Sequence, residues 1–210
     1  EISRKDEIWQ SESGLITIAG GKLTGYRKMA ELVVDLVANL LHEEGQGSFP
    51  ACHTMNMPIS GGKVGGSDQF PTYIKKYKQA GTKYGLTAEQ AEKLVRLYGS
   101  NIEQVFNILD QSSKETEKGS LPQDILAMVE YSLREEMVTK PADFFIRRTG
   151  ALFFDIQWVQ AWKNSVAEYM AKHLHWSSDQ KNQYMEELEG QLKDAVVPID
   201  NPQRNQKIGK

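Results

Sequence analysis

Residues 13–41 read SGLITIAGGKLTGYRKMAELVVDLVANLL. An apolar, β-branched run ends in Gly20 and Gly21, and Lys22, Leu23 and Thr24 then open an amphipathic stretch. A strand that turns through bare glycines into a helix can do anion chemistry. Glycines let a ligand approach the backbone, because no Cβ stands in the way. The first N–H groups of a helix lack internal acceptors, and the helix dipole is positive there. Lys22 adds a full charge and Thr24 a hydroxyl at the same corner, which together suit an anionic or electron-rich ligand edge. The plainer alternative is a tight strand-to-helix turn with a solvated lysine, since the pattern is neither a full dinucleotide fingerprint nor a Walker loop.

Other residues of chemical type carry less. Cys52 and His53 adjoin each other, but no third partner for a catalytic pair is evident. His173 and His175 stand two apart in a predicted helix, which sends their rings to different faces and argues against a shared metal. His42 at the end of the first predicted helix suits its C-terminal dipole. The run GGKVGG, residues 61–66, lacks the order of a phosphate-binding Walker loop and reads better as an interdomain hinge. Arg147 and Arg148 follow Phe144 and Phe145. A core-facing phenylalanine pair, with arginines paired to acids such as Glu135 or Glu136, is expected there; the rival is an arginine facing a partner. Trp158, Trp162, Tyr169 and Trp176 recur at helical steps and are expected in the core.

These residues must be held by a mostly α chain. Residues 1–19 read as extended and 22–43 as a helix, with Leu23, Tyr26, Ala30, Val33, Val37, Leu40 and Leu41 on one stripe and Gly45 and Gly47 beyond its end. Residues 46–70 are rich in glycine and proline and read as a linker. Residues 71–200 read as an all-α bundle of about six helices. Three capping boxes are expected, at Thr87 with Gln90, Ser100 with Glu103, and Ser177 with Gln180. Pro122 and Pro141 suit first turns, Gly150 a helix end, and single helices are predicted over 152–174 and 179–195. Residues 112–119 read as a charged loop and 201–210 as a disordered tail.

Composition sets the outer limits. The chain has 210 residues, of which 40% are hydrophobic and 25% charged, an ordinary globular balance able to bury a sizeable core. A net charge of −3 without a basic stripe argues weakly against nucleic-acid binding. The one cysteine can close no internal disulfide, so a reducing, cytoplasmic setting is expected. There is no long apolar span and no signal-peptide pattern. The chain opens with Glu1, in what reads as mid-domain sequence, so a fragment of a longer protein is expected.

The stretch GLITIAGGKLTGYRKMAE closely resembles the last strand–helix unit of the FAD domain in FAD-dependent glycerol-3-phosphate dehydrogenases and oxidases. YSLREEMVTKPADFFIRRTGALFFDI, residues 131–156, resembles that family's helical C-terminal domain, and DAVVPI, residues 194–199, is a third match in the right order. MNMPISGGKVGGS and RRTGALFFDI look most like the α-glycerophosphate oxidases of Gram-positive bacteria. The resemblance implies that residues 1–45 are the end of an FAD-binding α/β domain and 71–200 the helical C-terminal domain. It implies FAD as cofactor and oxidation of glycerol 3-phosphate to dihydroxyacetone phosphate. O2 would be the acceptor, giving H2O2, with a quinone as the alternative. Gly20, Gly21, Lys22, Leu23 and Thr24 would lie against the pyrimidine end of the flavin, and Lys22 with Arg4 would hold the substrate phosphate. The resemblance identifies no catalytic base on this chain. The preceding FAD domain is the partner implied, so the fragment alone is expected to be inactive, with residues 1–45 its least natively arranged part. A setting peripheral to the membrane goes with the quinone-linked branch. A function of another class is a non-catalytic helical docking domain for another subunit or a membrane surface; a membrane-surface helix would combine a large apolar face with a Lys/Arg-rich polar face, and none of the predicted helices clearly does.

Overall fold

The computed structural model describes residues 6–20, 22–112 and 121–197. The described part is mostly helical, and it falls into two compact units, Glu1–Ile59 and Ser60–Lys210. Arg4, Gly21, most of the charged loop and the 201–210 tail lie outside the described residues.

In the first unit the two extended runs pair with each other. Strands β1 (Glu7–Gln10) and β2 (Ile16–Ala19) are antiparallel, in a register from Glu7 opposite Ala19 to Gln10 opposite Ile16. The connecting turn is closed by Ser11 N–H to the Leu15 carbonyl at 2.9 Å. Gly14 takes φ +83 there, a left-handed conformation that a Cβ would strain. After β2 a single 3₁₀ turn, Leu23–Gly25, leads into α1 (Tyr26–Glu43), so the α-helix proper starts four residues later than the periodicity predicts. Gly45, at φ +77, ends it as expected. His42 at that end donates from Nδ1 to the Gly47 carbonyl at 2.8 Å.

The second unit holds the core. Helix α2 (Phe70–Gly81) packs on α3 (Ala88–Tyr98), α4 (Ile102–Ser112) on α5 (Gln123–Glu135), and α7 (Ile156–His173) on α8 (Ser178–Val196). Their apolar stripes meet in one cluster that includes Leu94, Val95, Ile102, Val129, Phe144, Phe145, Val166 and Leu188. The capping boxes at Thr87 and Ser177 are formed on both sides. The one expected at Ser100 is not. The Ser100 hydroxyl accepts the Lys63 N–H at 3.2 Å, its own N–H goes to the Gly61 carbonyl at 2.8 Å, and Glu103 accepts the Tyr77 hydroxyl. A 3₁₀ turn, Gly99–Asn101, precedes α4 instead.

This exchange also bears on the glycine run. A Cβ on Gly61 would press on the Tyr98 carbonyl, and one on Gly99 would meet the Gly61 carbonyl. The two backbones touch only because both residues are glycine. Ser60, bonded to Asn101 at 2.7 Å, belongs to the same clasp. Gly61 is thus bound to the α3–α4 corner rather than swinging as a hinge.

Two further expectations change. The single helix over 152–174 is broken: a short α6 (Ala151–Phe154) stops at Asp155, whose side chain caps α7 by accepting the Trp158 N–H at 3.2 Å. The segment Asp143–Arg148 winds as a π-helix. Asp143 explains its tight entry, because its Oδ2 accepts the N–H groups of Thr139 and Lys140 and the Thr139 hydroxyl. Its Oδ1 holds Arg147 at 2.8 Å.

Candidate functional site

The glycine corner lies in the first unit, where β2 hands over to the 3₁₀ turn. Ile18, Gly20, Lys22, Leu23, Tyr26 and Met29 line an open groove of about 660 Å³, floored by Ala30, Val33 and Val34 of α1. Lys22 is extended, with φ −127 and ψ 119, as the residue before a helical turn should be. Its side chain and those of Leu23 and Thr24 are exposed, Leu23 at 91%. The structure therefore brings Gly20, Lys22 and Leu23 together on one rim, while Thr24, the next residue of the turn, does not line the groove. Gly21 and Arg4, named with them from the sequence, lie outside the described residues.

Gly20 is needed for space. A Cβ there would collide with the Met29 thioether and would stand 2.6 Å from Asp6 Oδ1. Asp6 was not singled out from the sequence. The carboxylate at this corner also faces Gly25, at the start of α1, where a negative charge is favoured by the helix dipole. The signal was present in the acidic residue just before β1, but only the hairpin pairing carries it to the helix end.

A second polar chain runs along α1. Arg27 Nη1 donates to Glu31 Oε2 at 2.6 Å and to Thr54 Oγ1 at 3.2 Å, and the Cys52 thiol is 3.1 Å from the same hydroxyl. Lys28 reaches Glu31 Oε1 at 2.5 Å. Hydrogen bonds from Lys28 and Arg27 hold the Glu31 carboxyl below its ordinary range, and Glu31 in turn raises the Arg27 guanidinium. Cys52 is therefore joined to Thr54 and Arg27; no bond to His53 accompanies it among the described residues.

In the second unit Phe144 and Phe145 are fully buried, stacked edge to face at 5.1 Å, and Trp158 packs against both. Arg147 pairs with Asp143 on its own turn, and Arg148 donates to the Glu136 carbonyl at 2.5 Å, with Nε 3.9 Å from the Glu136 carboxylate. Trp158, Trp162, Tyr169 and Trp176 are part-buried against the core rather than inside it.

The histidines separate. His173 ends α7, while His175 lies beyond it at φ +55. His173 Nδ1 is 3.4 Å from Glu130, a buried carboxylate that also accepts the Tyr169 hydroxyl. Arg134 stands 2.5 Å from the other Glu130 oxygen, a charge contact without hydrogen-bond alignment. Burial raises the Tyr98 hydroxyl, and the bond to Glu103 raises that of Tyr77. Among the described residues no group of three or more His, Cys, Asp or Glu side chains can hold a metal. No described helix is long and apolar enough to cross a membrane.

Comparison with known proteins gives this arrangement a context. Residues 52–181 match the family described as the C-terminal domain of alpha-glycerophosphate oxidase. The aerobic glycerol-3-phosphate dehydrogenase of Bacillus subtilis is 52% identical over 200 residues, which are 95% of this chain and 36% of that protein. Its counterpart in Staphylococcus epidermidis is 46% identical over 202 residues, 96% of this chain and 36% of that protein. A solved structure, the glycerol-3-phosphate dehydrogenase of Bacillus halodurans complexed with FAD, superposes with a TM-score of 0.82 at 42% identity. The match covers 92% of this chain and 39% of that one. The chain spans little more than a third of the length of the curated relatives it matches. With more than half of its residues inside the family match, the chain belongs to the family of the C-terminal domain of alpha-glycerophosphate oxidase.

Proposed function

We propose that this chain is the C-terminal part of an FAD-dependent enzyme that oxidises sn-glycerol 3-phosphate to dihydroxyacetone phosphate. One observation carries the reading: Gly20, Lys22 and Leu23 share the rim of an apolar groove at the start of the helical turn that also holds Thr24. That rim suits the edge of a flat, electron-accepting ring. The bound flavin would supply the acceptor for the hydride leaving the substrate carbon. The space above Gly20 is taken by the ends of two side chains, the Met29 thioether and the Asp6 carboxylate, and both must withdraw for such a ring to fit.

Each residue has a distinct part. The backbone of Leu23 and Thr24 offers first-turn N–H donors to the pyrimidine edge, and Gly21 is kept beside them on its place in the sequence. Lys22 extends from the same rim and serves both the flavin and the substrate phosphate. Arg4, ahead of β2 in sequence, would grip the phosphate, since a planar guanidinium fork matches a dianion. The comparison with the FAD-complexed dehydrogenase supports the cofactor, and the names of the relatives support the substrate.

The final acceptor is O2, giving H2O2, in the reading favoured by the oxidase-like motifs. A quinone is the second reading, favoured by the relatives' name as aerobic dehydrogenases. The test uses the full-length protein. Lys22→Ala and Arg4→Ala each remove a charge-assisted hydrogen bond worth about 1.5–3 kcal/mol, so KM for glycerol 3-phosphate should rise about 10- to 100-fold. Unchanged KM and flavin content in both variants would overturn the assignments. Peroxide released in proportion to substrate oxidised in air marks an oxidase. Near-zero peroxide with fast reduction of a quinone analogue marks a dehydrogenase.

A further inference from the structure

The second unit displays an aromatic surface that its own packing does not use. Phe154 is 90% exposed and Phe153 67%, on a helix of four residues that buries only Ala151 and Leu152. The exposure is built in. Thr149 Oγ1 donates to the Phe144 or Phe145 carbonyl and accepts the Ala151 N–H; the Phe153 and Phe154 N–H groups both go to the Gly150 carbonyl. Gly150 adopts φ +64, and the Phe154 ring lies 3.4 Å from where its Cβ would be. A rigid turn thus holds the ring out at little further entropy cost on binding, as a preorganised anchor does.

Beside it is a cavity of about 370 Å³, lined chiefly by Leu97, Met128, Ala151, Phe154 and Trp158. That is near the lower end of the roughly 300–1,000 Å³ of small-ligand pockets, and suits one or two apolar side chains. Its polar groups are largely committed: Asp155 caps α7, Thr149 closes the turn, and Arg96 is held by Glu92 at 2.7 Å. Lys93 is the exception. Its Nζ rests over the Trp158 ring at 5.1 Å, and no described carboxylate pairs with it. The cavity therefore combines an apolar surface with a cation that no described carboxylate pairs, which an apolar side chain beside a carboxylate would complement.

We infer that this face seats a segment of the longer chain that precedes residue 1, one carrying an apolar side chain beside a carboxylate. The inference rests on the reading of this chain as the C-terminal part of a longer protein. About two thirds of each curated relative lies outside the matched region, enough polypeptide to supply such a segment. The apolar side chain fills the cavity against Leu97 and Phe154, and the carboxylate meets Lys93.

Hydroxyl-radical footprinting of the full-length protein tests this. Native Phe153 and Phe154 should be oxidised at least about tenfold more slowly than in the denatured protein, as for a well-packed contact. The protection should be unchanged on dilution and without vesicles. Phe154→Ser, a surface change that spares the core, and Lys93→Glu, which repels the carboxylate, should each raise Trp158 oxidation severalfold. Native rates within about twofold of the denatured ones would overturn the proposal. So would protection lost on dilution, which assigns the face to a second copy, or protection seen only with anionic phosphatidylglycerol vesicles, which assigns it to a membrane. Flavin content and substrate oxidation, measured on the same samples, judge the flavoenzyme reading separately: active, flavin-loaded protein with a freely oxidised Phe154 sinks this inference alone.

Discussion

Helices α1 and α3 are both amphipathic, and they meet opposite fates. α3 buries Ala91, Leu94, Val95 and Tyr98 against its neighbours. α1 buries none of its residues, although Val33, Leu36, Val37, Leu40 and Leu41 form a stripe just as regular. The same contrast separates the two units: every buried residue among those described lies at Ile74 or beyond. Helices in water gain most of their stability from packing an apolar face. The second unit carries its own counterpart surfaces, whereas the described residues of the first supply no counterparts that bury its apolar faces. On the reading proposed above, they come from the rest of an FAD-binding domain.

The largest effect that would break this contrast is expected in the second unit. Phe145→Ala removes a fully buried ring and should cost about 3–5 kcal/mol, read from the denaturation midpoint of this chain. A loss under about 1 kcal/mol would mean that the packing of the second unit is looser than described. Next comes Thr87→Ala, which deletes a capping box and should cost about 1 kcal/mol. Ser100→Ala offers a sharper check, because it should loosen the Gly61–Ser100 clasp, seen as faster amide exchange at Lys63, without fraying the start of α4.

Val34 in α1 is 63% exposed, so Val34→Ser should shift the stability of this chain by less than about 0.5 kcal/mol. The identical change in the full-length protein should cost more, since the missing surface would there cover the stripe. Equal, small effects in both would remove the case for a counterpart surface on α1.

The smallest expected effect is electrostatic and common to both units. Glu31 is held low by Lys28 and Arg27, and Glu92 by Lys78 and Arg96. A carboxylate lowered on folding stabilises the fold above its unfolded pKa, and that contribution fades as pH falls through the lowered folded value. Stability should therefore weaken below about pH 4, near the ordinary glutamate range. Glu31→Gln and Glu92→Gln should each flatten that acid limb slightly in a pH series of thermal melts.

Much of this was legible from residue order. Periodicity located most of the helices, and the hydroxyl–glutamine spacing marked one helix start to the residue, at Thr87, and another within one residue, at Ser177. The Phe144–Phe145 pair read correctly as core. What escaped was tertiary. The capping signal at Ser100 lost to a closer competitor, because Gly61 approaches from 39 positions away in sequence and takes its N–H. The break at Asp155 was hidden because apolar residues continue through it. In the candidate site, local order named the corner at Gly20, Lys22, Leu23 and Thr24. Asp6 and Met29 reach it only through hairpin pairing and helix packing, which no local pattern encodes.

The central claim is that the glycine corner meets the flavin, and a crystal structure of the full-length protein with FAD tests it most directly. The account predicts the pyrimidine edge of the ring within hydrogen-bonding distance of the Leu23 or Thr24 N–H, with Lys22 directed toward ring or substrate phosphate. A corner open to bulk solvent, with the ring bound elsewhere, would contradict it.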